Sequence, residues 1–224
     1  MRPYNRTAAV SSQRSQLAGL PGPAARRDAV RNYQRVLDAA RDVLAESGAA
    51  ASMEEIATRA GVGVGTVYRR FASKDALIDE LLRLALEQVT ADAKQALARG
   101  DGFGLRELLH AIGQSFEDHA TYATLLLRRR TDTAAERQIG AAIDELTARA
   151  VAAGTVNPGL TTGDVLALIW AMRGLVQATG EVAPRAWQRF LDIHLSGMQA
   201  SGPLSDSPAV PARHLSRPVA RHQH

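Results

Sequence analysis

Between about Val30 and Met198 the apolar residues recur every three or four positions, and this periodicity restricts the chain to amphipathic helices packed on one another. In the first such stretch Val30, Tyr33, Val36, Leu37, Ala40, Val43 and Leu44 share one face, with Arg31, Arg35, Asp38, Arg41 and Asp42 on the other. Gly48 stops it. Ser52, followed three residues later by Glu55, carries the capping-box spacing and opens a short second helix whose inner face is Met53, Ile56, Ala57 and Ala60. Gly61-Val62-Gly63 breaks it, and a third short helix is expected from Gly65 to Arg70, burying Val67, Phe71 and part of Tyr68. Ser73 can cap a fourth helix running to about Arg99, with Asp75 in its first turn and Leu77, Ile78, Leu81, Leu82, Ala85 and Val89 inward. Five further helices are predicted, over Phe103–His119, Tyr122–Arg129, Thr133–Ala153, Thr162–Thr179 and Pro184–Ala200, where Pro184 suits a first helical position. The fold class is all-α. A low aromatic content, 4%, and the dominance of Ala, Leu and Arg agree with it.

The ends of the chain read differently. Residues 1–24 are rich in Ser, Gln, Pro, Gly and Arg and lack periodicity, which predicts a disordered basic arm. Residues 201–224, with Pro203, Pro208, Pro211 and Pro218, read as a disordered tail. The net charge of +4 sits in these ends: five arginines and no acid precede Asp28, and three arginines face one acid after residue 200, so the body is net negative. The high pI is therefore no proof of a nucleic-acid-binding fold, although basic ends add nonspecific attraction to phosphate. No apolar run approaches the roughly 18 residues a bilayer requires, and no secretory signal is visible, so a cytoplasmic protein without membrane partners is expected. Cysteine is absent, which excludes disulfides and thiolate metal sites.

The segment from Ser52 to Leu77 carries the functional chemistry. Ala57 and Gly61 are small enough for two helices to cross closely, and Gly61 can adopt the left-handed conformation that ends one and turns the chain. The helix that follows projects Gly65, Thr66, Tyr68, Arg69 and Arg70 and has the dimensions to enter the major groove of B-DNA. The hydroxyls of Thr66 and Tyr68 suit phosphate oxygens. Arg69 and Arg70 suit phosphates or the O6/N7 edge of guanine. Gly65 allows close backbone approach, Ser52 offers a helix N-terminus, and Lys74 a further phosphate contact.

This stretch resembles the DNA-binding domain of the TetR family of repressors. The residues that carry the resemblance are Gly48, Ile56-Ala57-Thr58-Arg59-Ala60-Gly61-Val62, Thr66-Val67-Tyr68-Arg69-Arg70-Phe71 and Lys74, in the family's order and spacing, over roughly residues 28–82. It implies a helix-turn-helix domain at 25–75, a helical ligand-sensing and dimerisation domain at 76–200, and a ligand-responsive repressor binding a palindromic operator as a homodimer. The partners expected are double-stranded DNA, a second copy, and a small-molecule inducer. The resemblance also implies that the last two ordered helices pair across a four-helix interface. Leu166, Ile169, Trp187, Leu191, His194 and Leu195 are its candidates, with Phe190 and Met198 nearby, since these helices are more apolar than a partner-free bundle needs. An inducer pocket is expected among the middle helices, lined by Phe103, Leu109, Ile112, Phe116, Tyr122, Leu126, Ile143, Leu146 and Trp170, with polarity from His110 or His119.

Other patterns carry less. Gly61-Val62-Gly63-Val64-Gly65-Thr66 lacks both the dinucleotide fingerprint and the Gly-Lys-Ser/Thr of a phosphate loop. Arg128-Arg129-Arg130 reads as a solvated helix end. His110 and His119 are nine apart, which is no metal-pair spacing, and no catalytic constellation is present, so no cofactor, metal or enzymatic activity is expected. Two other readings stay open: a helical small-molecule-binding protein or enzyme that never touches DNA, and an activator or nucleoid-type binder.

Overall fold

The computed structural model describes residues 22–119, 134–180, 182–199, 202, 204 and 207–211. Among them are eight α-helices: α1 (Gly22–Ser47), α2 (Met53–Ala60), α3 (Val64–Arg70), α4 (Lys74–Ala98), α5 (Gly104–Asp118), α6 (Ala134–Ala152), α7 (Thr162–Thr179) and α8 (Ala186–Met198), with a 3-10 turn at Gly48–Ala50. No helix among the described residues is long and apolar enough to cross a membrane. The expected helix at Tyr122–Arg129, with the arginine run 128–130, lies outside the described residues, as does most of the N-terminal arm. That arm ends sooner than the sequence suggests, because α1 already begins at Gly22 and Pro23 occupies its first turn, where a missing N–H costs nothing. The chain forms two compact units that divide inside α4, between Gln88 and Val89.

The N-terminal unit closes on one apolar cluster. Tyr33, Val36, Leu37, Ala40, Val43 and Leu44 of α1 meet Met53, Ile56, Ala57 and Ala60 of α2, Val67 of α3, Phe71, and Leu77, Ile78, Leu81 and Leu84 of α4. Local signals set its boundaries. The Ser52 hydroxyl accepts from the Glu55 N–H at 3.1 Å, and the Ser52 N–H donates to the Glu55 carboxylate at 3.3 Å, completing the expected capping box. Gly61 ends α2 in the left-handed region, at φ 64°. The Ser73 hydroxyl accepts from the Ala76 N–H at 3.1 Å and starts α4.

The C-terminal unit packs α5, α6, α7 and α8 with the end of α4 around a second cluster. Leu105, Leu108, Leu109 and Ile112 meet Ile143, Leu146 and Ala150, then Val165, Leu168, Met172 and Val176, then Trp187, Leu191 and Leu195. Helix α7 opens with its own capping box between Thr161 and Asp164. Pro184 is not a first helical residue: it lies in the turn before Arg185, which caps α8. Trp187 lies flat against Gly113 of α5, where any Cβ would overlap its six-membered ring, and its indole N–H donates to Glu117 at 2.7 Å.

Residues 201–224, read as tail, include a stretch returned onto this unit. The buried Asn157 amide donates to the Gly202 carbonyl at 2.8 Å, and its backbone N–H to the Met198 carbonyl at 2.6 Å. The Leu204 side chain lies at Gly159 and the Val210 carbonyl at Gly163, so two side-chain-free positions make room for the returning chain. Burial of a side-chain amide requires partners, and the tail backbone supplies one of them. Residues 212–224 lie outside the described residues.

Gly113→Ala should lower stability by about 1–2 kcal/mol, because overpacking against the indole exceeds the gain in helix propensity. Gly140→Ala in α6, where a new Cβ meets nothing within 4 Å, should raise it by about 0.5–1 kcal/mol. Urea unfolding followed by circular dichroism reads both.

Candidate nucleic-acid interface

Helix α3 has seven residues and one fully buried side chain, Val67, at 0% exposure. Around that single anchor the rest of the helix turns outward. Val64 is 40% exposed and Tyr68 44%, Arg69 and Arg70 are exposed, Thr66 is half-buried, and a Cβ placed on Gly65 would meet open space. Of the expected outward residues, Gly65, Thr66, Tyr68 and Arg69 therefore lie on the accessible side of α3. The sequence did not single out Val64, which adds an apolar contact to it.

Hydrogen bonds distinguish these side chains. The Arg69 guanidinium donates to the Thr66 hydroxyl at 3.1 Å, one turn back, and so stays on the exposed face. The Tyr68 hydroxyl lies 3.4 Å from a Glu54 carboxylate oxygen, at the long end of hydrogen bonding, and remains accessible. Arg70 behaves otherwise. Its guanidinium carbon sits 4.7 Å from the centroid of the Tyr33 ring on α1, so its head group is engaged with α1 although the residue stays exposed. Lys74 differs from expectation in a similar way. Its ammonium donates to the Ala49 carbonyl at 2.7 Å and to Ala51 at 2.9 Å, which ties the start of α4 to the loop before α2 and leaves one of its three donors for another partner.

Two further groups bear on this face without any sequence signal. Arg35 of α1 reaches over Gly61 with the end of its guanidinium, and the turn before α3 needs glycine for its left-handed conformation. Tyr33, Glu80 and Arg83 form a linked set: the Tyr33 hydroxyl donates to Glu80, and Arg83 donates to both Glu80 oxygens at 2.7 Å and also pairs with Glu87. Burial opposes ionisation of Glu80, but the hydrogen bonds from Arg83 and Tyr33 outweigh it and hold the carboxyl below its usual range. Burial and the adjacent carboxylate raise the Tyr33 phenol. Three other arginines of the unit are engaged with acids, Arg31 with Asp28, Arg41 with Asp38 and Arg59 with Glu46.

The residues expected to line an inducer pocket separate into groups. Leu109, Ile112, Ile143 and Leu146 are packed in the core, with Phe116 against them. Phe103 is 45% exposed at the start of α5, and Trp170 is half-buried on α7 beneath the Arg173 guanidinium, at 5.0 Å, and neither belongs to that packed core. Tyr122 and Leu126 lie outside the described residues. Leu146 also borders an open cleft of about 400 Å³ with Arg99, Gly102, Arg149 and Ala153, which no other expected lining residue reaches. His110 lies beside Trp187 and Asp192, while a His119 ring nitrogen lies 2.5 Å from the Ser115 carbonyl.

The expected pairing residues need correction. Trp187, Leu191 and Leu195 recur every four positions on the inward face of α8 and are buried inside the protomer, so they are core and not a contact surface. Leu166 and Ile169 are half-buried and His194 is exposed, with Phe190 and the 58%-exposed Ile193 beside it on the outward face.

Comparison with known proteins follows this division. The sequence model for bacterial regulatory proteins of the tetR family matches residues 36–81, and that for the C-terminal domain of SbtR-like transcriptional regulators matches residues 105–200. An HTH-type transcriptional regulator of Staphylococcus aureus is 32% identical over 104 residues, 45% of this chain. The chain spans about half the length, 54%, of that curated relative. The crystal structure of a TetR transcriptional regulator from Streptomyces coelicolor is 26% identical and superposes at a TM-score of 0.57 over 75% of this chain and 99% of that one. That of a TetR transcription regulatory protein from Mycobacterium vanbaalenii is 30% identical, at a TM-score of 0.55, over 78% of this chain and 99% of that one. A relative this similar over nearly its whole length, together with a motif whose outward residues share one face of α3, places this chain in the TetR family of bacterial regulatory proteins.

Proposed function

We propose that the protein is a transcriptional regulator that binds duplex DNA through α3, acts as a homodimer on a palindromic operator, and represses until a small molecule releases it. The observation that carries this reading is the geometry of α3: one buried anchor, Val67, and an outward face of Val64, Gly65, Thr66, Tyr68 and Arg69. That face combines apolar contact, hydroxyls for phosphate oxygens and a guanidinium for phosphate or guanine, on a helix of groove-filling size. Ser52, at the N-terminus of α2, and the remaining donor of Lys74 would contact the backbone beside it.

Dimerisation is supported by the outward faces of α7 and α8. Ile193 is 58% exposed beside the exposed His194 on α8, and Leu166, Ile169 and Trp170 on α7 and Phe190 on α8 are only half-buried in the single protomer. A twofold axis through paired α7 and α8 helices would present two copies of α3 about 34–36 Å apart, one helical turn of DNA. An inducer would act by displacing α4, and linkage then requires operator and inducer to weaken each other by the same factor.

Selection of bound sequences from random duplex DNA tests the central claim and should return a short inverted repeat. Tyr68→Phe combined with Arg69→Ala should then weaken binding to the selected duplex about 10- to 100-fold and lower the slope of log K against log salt by about 1, with the dimer intact. Enrichment of no sequence, or unchanged affinity in the double variant, would refute the assignment of α3. For the pairing face, Ile193→Asp should shift the protein toward monomer in sedimentation without unfolding it. Leu191→Ala, in the core, should instead cost about 2–5 kcal/mol in urea unfolding.

A further inference from the structure

We propose that Arg70 is a positioning residue and not a DNA ligand: with Tyr33 and Glu80 it forms a relay within the N-terminal unit through which α4 sets the placement of α3. The inference rests on the reading of α3 as the DNA-contacting helix and adds to it the means by which that helix is held.

Three observations carry it. The first is where the last turn of α3 is attached. Its only fully buried residue is Val67, and Phe71, which follows it, stacks on Tyr33 with ring centroids 6.0 Å apart and an interplanar angle of 24°. Arg70 adds its guanidinium to the same Tyr33 ring, at 4.7 Å. Two consecutive side chains at the end of α3 thus close on one aromatic ring of α1. The second observation is what holds that ring. The Tyr33 side chain is 5% exposed, and its hydroxyl donates to Glu80 on α4, 47 residues away in sequence. The third is that Glu80 is itself fixed: Arg83, one turn further along α4, donates to both of its oxygens at 2.7 Å and pairs with Glu87. The line Arg70–Tyr33–Glu80–Arg83 therefore joins α3, α1 and α4 through side chains, beside the apolar packing and outside it.

The physical consequence concerns rigidity. A helix of seven residues has too few internal hydrogen bonds to define its own axis. Val67 fixes its depth, but a single anchor leaves rotation about that point open. The Arg70–Tyr33 contact at the C-terminal end supplies a second point, and Glu80 ties that point to α4. A displacement of α4 at Glu80 shifts the Tyr33 ring and with it the end of α3. Arg70 stays exposed, but its guanidinium is engaged on the Tyr33 ring, whereas that of Arg69 rests on the Thr66 hydroxyl of its own helix.

The test uses the full chain and two readouts. In the free protein, hydrogen exchange of the peptide covering residues 64–71 should quicken about 3- to 10-fold in Arg70→Met, and equally in Glu80→Gln, which lies on another helix, the scale set by one partly buried cation–π contact. The double variant should be no faster than the more affected single one, and the peptide covering residues 53–60 should stay unchanged, whereas general destabilisation would quicken both. Unchanged exchange at 64–71 in Glu80→Gln would overturn the relay. The second readout uses the duplex that the unmodified protein selects from random DNA. Arg70→Met should weaken that complex about 3- to 10-fold and leave the salt slope unaltered, whereas loss of a phosphate ligand would lower the slope by about 1. A lowered slope, or unaltered affinity, would overturn the proposal. If the unmodified protein selects no duplex, the DNA reading fails, and the exchange experiment still decides the relay.

Discussion

Helix α3 is too short to persist in water by itself, and everything proposed for this protein depends on its being held. The holding interaction is the burial of Val67 among the side chains of α1, α2 and α4. One fully buried valine stabilises by roughly 1.5–3 kcal/mol, comparable with the cost of ordering one or two residues of backbone. Such an anchor orders α3 only because its neighbours are also fixed: Gly61 turns the chain at φ 64°, Phe71 closes the last turn, and Ser73 begins the next helix. A helix with one inward residue is also one in which nearly every other side chain faces out. Marginal local stability and a well-displayed surface are the same property seen from two sides.

Charge in the N-terminal unit is apportioned in a way that composition conceals. The body of the chain is net negative, and many of its arginines are engaged by acids on their own or a neighbouring helix. Arg69 is exposed and donates to the Thr66 hydroxyl, while the guanidinium of the adjacent Arg70 lies on the Tyr33 ring. Two neighbouring, exposed arginines thus meet different partners because a helix rotates successive residues by about 100°, setting one beside Thr66 and the next over Tyr33. Exposed ion pairs of this kind contribute little stability each. Their effect is to leave few guanidinium groups free to meet a phosphate.

The same rotation separates core from contact surface in the C-terminal unit. On α8, Trp187, Leu191 and Leu195 pack inward, and Phe190, Ile193 and His194 face away. On α7, Val165, Leu168, Met172 and Val176 are buried, and Leu166, Ile169 and Trp170 are half-buried. Apolar residues of both helices thus divide into buried and partly accessible sets, and hydropathy alone does not say which is which. Gly113 adds a detail of the same kind: a missing Cβ on α5 decides where the Trp187 indole lies.

Sequence alone determined the all-helical class, most helix limits and the position of α3, because caps, glycine stops and 3.6-residue periodicity are local and act over a few residues. The capping box at Ser52 and Glu55, the left-handed Gly61 and the outward set of Gly65, Tyr68 and Arg69 were legible in that way. Tertiary structure alone decided that Arg70 stacks on Tyr33, that Lys74 binds the Ala49 and Ala51 carbonyls, that Trp187, Leu191 and Leu195 are core, and that residues near 202–210 return to Asn157 and Gly163. Each of these joins groups between roughly 20 and more than 70 residues apart, or chooses between two chemically similar faces. Periodicity states that a face is apolar; only the packed chain states what lies against it.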